Sequence, residues 1–446
     1  MRRVVVVGGG PAGMAAAKAA ASCGVEVVLI DAAPKLGGQY HRQDARESGD
    51  RFKLPDGVEH LAESVVWAIE PILEGHRVHV RTGPADGPDR TGRAIETRAL
   101  VLATGAYDWT PPFPGWDLPG VYTAGAAQAM AKGQGVAVGE RVIVAGTGPF
   151  LLPVATSLID AGSRVSAILE ANDPVAGFAA RPGGALAGWT KAGELAQYGA
   201  ALARHDVPLR RRCAVIAALG EDRVEAVLAA RLDEDWNPVP HTMRRFEVDA
   251  VAVGFGFTPQ LESAVAARCE IEGGFVAVNA AQGTSVPGVF AAGELTGIGG
   301  ADLAAAEGAV AGAAAAKRLG AKVRAPIGAM RRARVGRRFA AALAEAYPVR
   351  PGWRGWLRDG TIVCRCEEVA YGEIRHAVED LDVGGARSLK LATRAGLGLC
   401  QGRICGRNVA ELASLPDAAD AFARRPVAVP VRLGELAEDV PVDEAP

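Results

Sequence analysis

Val4-Val5-Val6-Val7-Gly8-Gly9-Gly10-Pro11-Ala12-Gly13 decides the fold. Four consecutive valines read as a strand buried on both faces of a parallel sheet. The glycine run then opens an alanine-rich helix reaching about Cys23, and Val25–Ile30 is a second apolar strand with Asp31 at its end. This is a βαβ dinucleotide fingerprint in its required setting. Gly8 permits the tight turn, Gly10 lets backbone approach a pyrophosphate, and Gly13 lets the helix lie on the sheet. The phosphates would meet free N–H groups at the helix start, beside Pro11 and Ala12, and Asp31 would accept from ribose hydroxyls.

Three later stretches bear on the identity of the dinucleotide. Pro34-Lys35-Leu36-Gly37-Gly38-Gln39 follows Asp31. Leu100-Val101-Leu102-Ala103-Thr104-Gly105 is a strand ending in a small-residue turn, and Pro287-Gly288-Val289-Phe290-Ala291-Ala292-Gly293-Glu294 is another. In this order they resemble the two-dinucleotide-domain flavoproteins of the glutathione-reductase class. The resemblance implies FAD, with Lys35, Gly38 and Gln39 along the pyrophosphate. It places Ala103, Thr104 and Gly105 where the chain crosses near the flavin, and Gly293 and Glu294 at the ribityl chain. That acid is usually Asp; Glu294 is one methylene longer. The redox cysteine pair of the class is missing: Cys23, Cys213 and Cys269 are isolated and read as small buried hydrophobes.

A second βαβ unit begins at Arg141 and turns through Gly146-Thr147-Gly148-Pro149-Phe150-Leu151; its next strand, Val165–Leu169, ends in Glu170. In this class the inserted domain holds NAD(P), so Gly146, Gly148 and Glu170 are the expected contacts for NAD or another nucleotide. Leu151 stands where the third glycine belongs, and should force the helix away from the strand. The chain is expected to return to the first domain through Val248–Gly256. Asp302 and Glu307 fall on an expected helix, 302–318, and read as its solvated face. Near residue 318 the texture changes: Arg331, Arg332, Arg334, Arg337 and Arg338 crowd one connector helix, and Pro348, Pro351, Trp353 and Trp356 mark a linker.

Cys364-Arg365-Cys366 and Cys400-Gln401-Gly402-Arg403-Ile404-Cys405 hold four of the seven cysteines. Residues i and i+2 of a strand share a face, so Cys364 and Cys366 can meet one centre with Arg365 turned away. Gly402 permits the turn that joins Cys400 to Cys405. Helices are expected at Tyr371–Asp380 and, shorter, at Leu389–Arg394. Four thiolates suit zinc or an iron–sulfur cluster, with Arg365, Arg403 and Arg407 offsetting charge; a Cys400–Cys405 redox pair is a third reading. Spacing does not choose among them.

The run from Cys364 to Val369 with Cys400–Cys405 resembles the [2Fe-2S] domain related to bacterioferritin-associated ferredoxin. The whole chain, including the tail Arg425-Pro426-Val427-Ala428-Val429-Pro430, resembles the large flavoprotein subunit of multimeric amine dehydrogenases: opine oxidases, hydrogen cyanide synthase, dye-linked proline or hydroxyproline dehydrogenases and, more distantly, the alpha subunit of sarcosine oxidase. The implied fold is α/β: a glutathione-reductase-like flavoprotein with a small helical [2Fe-2S] domain. Its parts are 1–135 and 256–325 for FAD, 136–255 inserted, 326–358 linker, 359–420 cluster domain and 421–446 extended tail. The implied role is electron transfer, with the amine oxidised in a D-amino-acid-oxidase-like flavoprotein partner. A small ferredoxin-like [2Fe-2S] subunit is implied beside it, together with an acceptor such as a quinone. An NAD(P)H-dependent reductase and a non-catalytic scaffold are the alternatives. No acid–base residue is named; His41 and His205 read as structural or surface.

Bulk properties agree. The 446 residues suit about three domains, and a net charge of −2 gives no reason to expect nucleic acid or an acidic membrane. Glycines 8–10 and Pro11 break what could pass, from Met1 and Arg2 onward, for a leader. No run of roughly 18 apolar residues is free of charges and breakers, so no transmembrane segment is expected. Reduced thiols suit the cytoplasm, and the complex could also sit peripherally at the inner face of a membrane.

Overall fold

The computed structural model describes residues 3–85, 87–180, 182–188, 191–415, 421–425, 427–438 and 440–443. Met1, Arg2, Pro426 and the stretch 416–420 that ends the expected cluster domain lie outside the described residues.

The valine run is the central strand, Arg3–Val7, of a five-stranded parallel sheet. The strand order is Val289–Ala291, Ala99–Leu102, Arg3–Val7, Glu26–Ile30, Val58–Leu61. Its neighbours cover both edges, and Val4, Val5 and Val6 are wholly buried. On one face lie the fingerprint helix, Pro11–Ala21, and a long helix, Ala301–Arg318. On the other face packs an antiparallel sheet of Ser64–Ile72, Gly75–Thr82 and Thr91–Thr97, whose edge is extended by Val442–Asp443 from the far end of the chain.

A second parallel sheet runs Leu209–Arg211, Arg164–Glu170, Arg141–Gly146, Ala250–Gly254, Val121–Thr123. An antiparallel trio, Cys213–Leu219, Ala226–Arg231 and Arg244–Glu247, covers one face. The helices Ala124–Gln134, Leu151–Asp160 and Ala192–Arg204 cover the other. Two crossings, Ala106–Asp108 and Phe257–Pro259, pair antiparallel between the two sheets.

Two sequence expectations need correction. The stretch 326–358 is not a loose linker. It forms a 20-residue helix, Ile327–Ala346, and then drives Trp353 and Trp356 into the core of the second sheet against Trp236 and Phe255. Glu307 is not on a solvated face: it is 1% exposed, because Arg337 of the basic helix and the amide of Gly293 satisfy it. Asp302 is exposed as expected and pairs with Lys191 at 2.7 Å.

The cysteine unit is a short hairpin, Ile362–Cys364 with Val369–Ala370, followed by the helices Tyr371–Glu379, Ala386–Thr393 and Gly406–Leu412. The second helix starts three residues earlier than Leu389 because Gly385 ends the preceding turn in extended backbone.

Candidate functional site

A single cavity of about 2800 Å³ runs through the first two units. Its wall gathers Gly8, Gly10, Pro11, Ala12, Asp31, Lys35, Gly38, Gln39, Ala103, Thr104, Gly105, Gly293 and Glu294, residues spread over most of the chain. Gly13 lies behind it. A Cβ there would be driven into the carbonyl of Gly8, so the glycine sets how closely the helix approaches the turn. Gly10 caps the fingerprint helix with no side-chain acceptor, leaving the first N–H groups directed at the cavity.

Polar groups are arranged for an anionic dinucleotide. Asp31 accepts from the amides of Gly9 and Ala33, the latter at 2.6 Å, and burial raises its pKa. A carboxylate has about four acceptor positions, so two remain for ribose hydroxyls. Glu294 accepts from Gly300 N–H at 2.9 Å through one oxygen; the other is buried with no partner. Burial raises this acid to about 7. An orphaned carboxyl oxygen on a cavity wall fits a ligand hydroxyl, as expected for the ribityl chain. Lys35 departs from expectation: its ammonium binds the carbonyls of Asp44 and Glu47, both at 2.6 Å, and so braces the loop around the cavity. Gln39 is held by Arg42. His41 lines the cavity, whereas His205 ends a helix.

The second fingerprint is different. Gly148 lines the cavity; Gly146 and Glu170 do not. Glu170 is 4% exposed, and its oxygens accept from Thr147 Oγ1 at 2.6 Å, Gly148 N–H at 2.9 Å and Asn172 N–H at 2.9 Å. Burial pushes its pKa up to about 7. Asn172 in turn donates to Thr147 and to the carbonyl of Pro348 at 2.8 Å, fastening the end of the basic helix over this acid. Leu151 has the foreseen effect. The helix begins only at Leu151, after a tighter turn in which Leu151 N–H meets Gly148 carbonyl.

Cys364, Cys366, Cys400 and Cys405 are brought together. Cys405 is within hydrogen-bonding reach of both Cys364 and Cys400, and Cys366 of Cys400. The Cys405 thiol holds Cys364 down to about 6 and Cys400 to about 4, while its own pKa rises. Backbone N–H groups point at the sulfurs: Gly396, Glu367 and Cys366 at Cys364, and Ile404 and Gly402 at Cys400. Among the described residues, no three His, Cys, Asp or Glu side chains surround a point as ligands of one ion would. Thiols in mutual contact beneath a set of amides suit a sulfur-rich cluster better than a single tetrahedral ion.

The arginines expected to offset cluster charge are engaged elsewhere. Arg365 lies over Trp116, Arg407 over Trp109, and Arg403 binds Tyr107 Oη at 2.9 Å and Glu262 at 3.0 Å. Sequence reading missed Lys390, whose ammonium sits 4.5 Å from the Phe422 ring with Cys405 nearby, and Phe422 itself, packed over Gly396, Gly402 and Gly406. Phe422 lies 17 residues beyond Cys405 with no spacing signal to mark it. Arg403, Ile404 and Arg407 also line the large cavity, so the loop joining two of the cysteines forms part of its wall. Asn408 fixes this arrangement by accepting from Trp109 and donating to Thr110 carbonyl, both at 2.8 Å.

Residues 2–313 match the family described as pyridine nucleotide-disulphide oxidoreductase, and residues 362–414 match the BFD-like [2Fe-2S] binding domain. The chain is 33% identical to the A-type subunit of opine oxidase from Agrobacterium tumefaciens, over 97% of this chain and 91% of the relative. It is 34% identical to hydrogen cyanide synthase subunit HcnB of Pseudomonas aeruginosa, over 90% of each. The crystal structure of L-proline dehydrogenase from P. horikoshii superposes with a TM-score of 0.68 at 20% identity, covering 98% of this chain and 79% of that one. Fold and site thus define a two-dinucleotide-domain oxidoreductase that carries FAD and a [2Fe-2S] cluster. The chain belongs to the large-subunit family of multimeric enzymes that includes HcnB and the A-type subunit of opine oxidase. Among the described residues no helix is long and apolar enough to cross a membrane.

Proposed function

We propose that this chain is the electron-transfer subunit of a multimeric FAD-dependent amine or imino-acid dehydrogenase, its donor an opine, proline, hydroxyproline or glycine-type compound. The observation that carries this reading is the shared wall: Arg403 and Ile404, between Cys400 and Cys405, face the cavity that the fingerprint residues line. Gly8, Gly10, Pro11, Ala12 and Gly13 shape the pyrophosphate turn, and Asp31 and Glu294 take the two sets of ribose-type hydroxyls. Lys35, Gly38, Gln39, Ala103, Thr104 and Gly105 complete the enclosure, and Cys364, Cys366, Cys400 and Cys405 hold the cluster. FAD accepts electrons in pairs or singly and a [2Fe-2S] cluster singly, so the two together convert pairs into single electrons.

Amine oxidation then falls to a D-amino-acid-oxidase-like partner subunit. A small ferredoxin-like [2Fe-2S] subunit, with an acceptor such as a quinone, completes the complex, in the cytoplasm or peripherally at the inner face of a membrane. Glu170, occupied by its own chain beneath Pro348, disfavours the nicotinamide reductase. In the isolated chain, iron and sulfide should be equimolar, and Cys400→Ser should lose both while keeping FAD. Anaerobic mixing with NADH should leave the flavin band oxidised for seconds. Rapid bleaching would overturn the dehydrogenase-subunit reading, and zinc without iron would overturn the cluster assignment.

A further inference from the structure

The basic helix borders a second cavity, of about 750 Å³, outside the flavin site. Arg334, Arg337 and Arg338 line one side, and Val310 and Met330 add apolar surface. Among the described residues neither Arg334 nor Arg338 pairs with an acid, while Arg337 binds Glu307 at 2.8 Å. Two guanidinium forks are therefore uncompensated at one concavity.

An independent observation comes from a different loop. Gln282 lines the same cavity and is 1% exposed. Its amide oxygen accepts from Arg337 at 3.0 Å, which fixes the amide's orientation, yet its amide nitrogen is buried with no acceptor. Gln282 also holds φ at +63°, uncommon for a residue with a side chain. A buried N–H without an acceptor beside free guanidinium groups has one chemical complement, an oxyanion. The planar fork of arginine matches carboxylate and phosphate oxygens in pairs. The cavity volume lies in the range of small-ligand pockets.

The cavity is wired to the flavin wall. Arg337 Nε donates to Glu307 at 2.9 Å. The other Glu307 oxygen accepts from Gly293 N–H at 3.0 Å and Thr296 Oγ1 at 2.8 Å, on either side of Glu294. Gln282 carbonyl accepts from Ala291 N–H at 3.0 Å, in the strand that leads into the same motif.

We propose that this cavity binds a small organic anion through its phosphate or carboxylate group, and that occupancy is transmitted to the flavin site through Arg337 and Glu307. The site is independent of which amine the complex oxidises. The test is calorimetric titration of the FAD-loaded chain with pyrophosphate and, separately, with citrate, at fixed ionic strength. At least one probe should bind saturably at one per chain, and the preferred probe assigns the class. The exposed pair Arg334→Gln/Arg338→Gln should weaken binding at least tenfold. Gln282→Leu should weaken it severalfold with the arginines intact. Arg324→Gln removes the same charge outside the cavity and should leave binding unchanged. The flavin absorption band should shift along the same saturation curve. Binding by neither probe, undiminished binding in the double variant, or equal weakening by Arg324→Gln overturns the site. An unshifted flavin band at saturation overturns the coupling.

Discussion

Glu170 ends its strand where a ribose-binding acid is expected, and it is legible in the sequence for that reason. What the sequence does not show is that Thr147, Gly148 and Asn172 already occupy its oxygens, because Asn172 is fixed by Pro348, 176 residues away. The structure gives this acid a thermodynamic signature. Its pKa rises from 4.5 to about 7 through burial, so the folded protein holds a proton that the unfolded chain releases. A raised acid stabilises the fold fully below the unfolded value and loses that contribution as pH climbs through the folded one. Between pH 4.5 and 7 the contribution should fall by about 3 kcal/mol. Glu170→Gln abolishes it and turns an amide N–H₂ toward backbone donors. The unfolding free energy of the native chain minus that of Glu170→Gln, measured in urea across this range, should therefore decline with pH; a flat difference would refute the buried, protonated acid. Glu307 teaches the complementary lesson. Its helical spacing was compatible with solvent, and only the arrival of Arg337 from the next helix buries it.

Among the elements, those with local signals were readable: the valine strand, the two glycine turns, and the hairpin and turn bearing the cysteines. The pairing of the fingerprint helix with the long helix was not, although its cause is simple. Gly308 and Gly312 lie against the backbone of Ala12 and Ala16, and a Cβ at either would enter the carbonyl oxygen opposite. Two alanine-rich helices thus touch main chain to main chain, which holds the phosphate-facing helix start in place. Helix propensity favours alanine over glycine by about 1 kcal/mol, but overpacking against backbone costs about 1–3 kcal/mol or more. Gly312→Ala should consequently be destabilising. Gly328→Ala, on the basic helix where the nearest atom is the Arg332 guanidinium at 3.6 Å, should be neutral or stabilising by up to about 1 kcal/mol. Thermal unfolding of the two variants decides it, and equal midpoints would show that the helices can separate freely. The basic helix and the tryptophans after it were misread for a related reason: proline and arginine signal a linker locally, whereas Trp353 and Trp356 are buried by partners more than 100 residues earlier.

At the scale of the molecule the chain closes on itself. From the cysteine unit, Ala428 N–H reaches Trp67 carbonyl at 2.7 Å, and Arg403 donates to Ala428 carbonyl at 2.6 Å. Arg432 donates to Gly87 carbonyl, Glu435 pairs with Arg90 at 3.5 Å, and Glu438 meets the buried Arg81. Val442–Asp443 then lies parallel to Thr91–Thr97, with Val442 opposite Ala94. The sequence suggested only an extended tail, since pairing across some 350 positions leaves no local periodicity to read. This strap joins the cluster unit to the sheet that backs the flavin cavity, so the two should unfold together. Removing everything from Val427 onward bares the Thr91–Thr97 edge, an open template for association. It also strips Arg81 and Arg90 of their acids. The truncated chain should keep iron and sulfide, because all four cysteines precede the cut. Its melting midpoint should drop by about 5 °C or more, light scattering should rise on heating, and calorimetry should resolve two transitions where the full chain shows one. A single transition at the original temperature would mean that the tail merely rests on the sheet and that the cluster unit is held by Trp109, Asn408 and Arg403 alone.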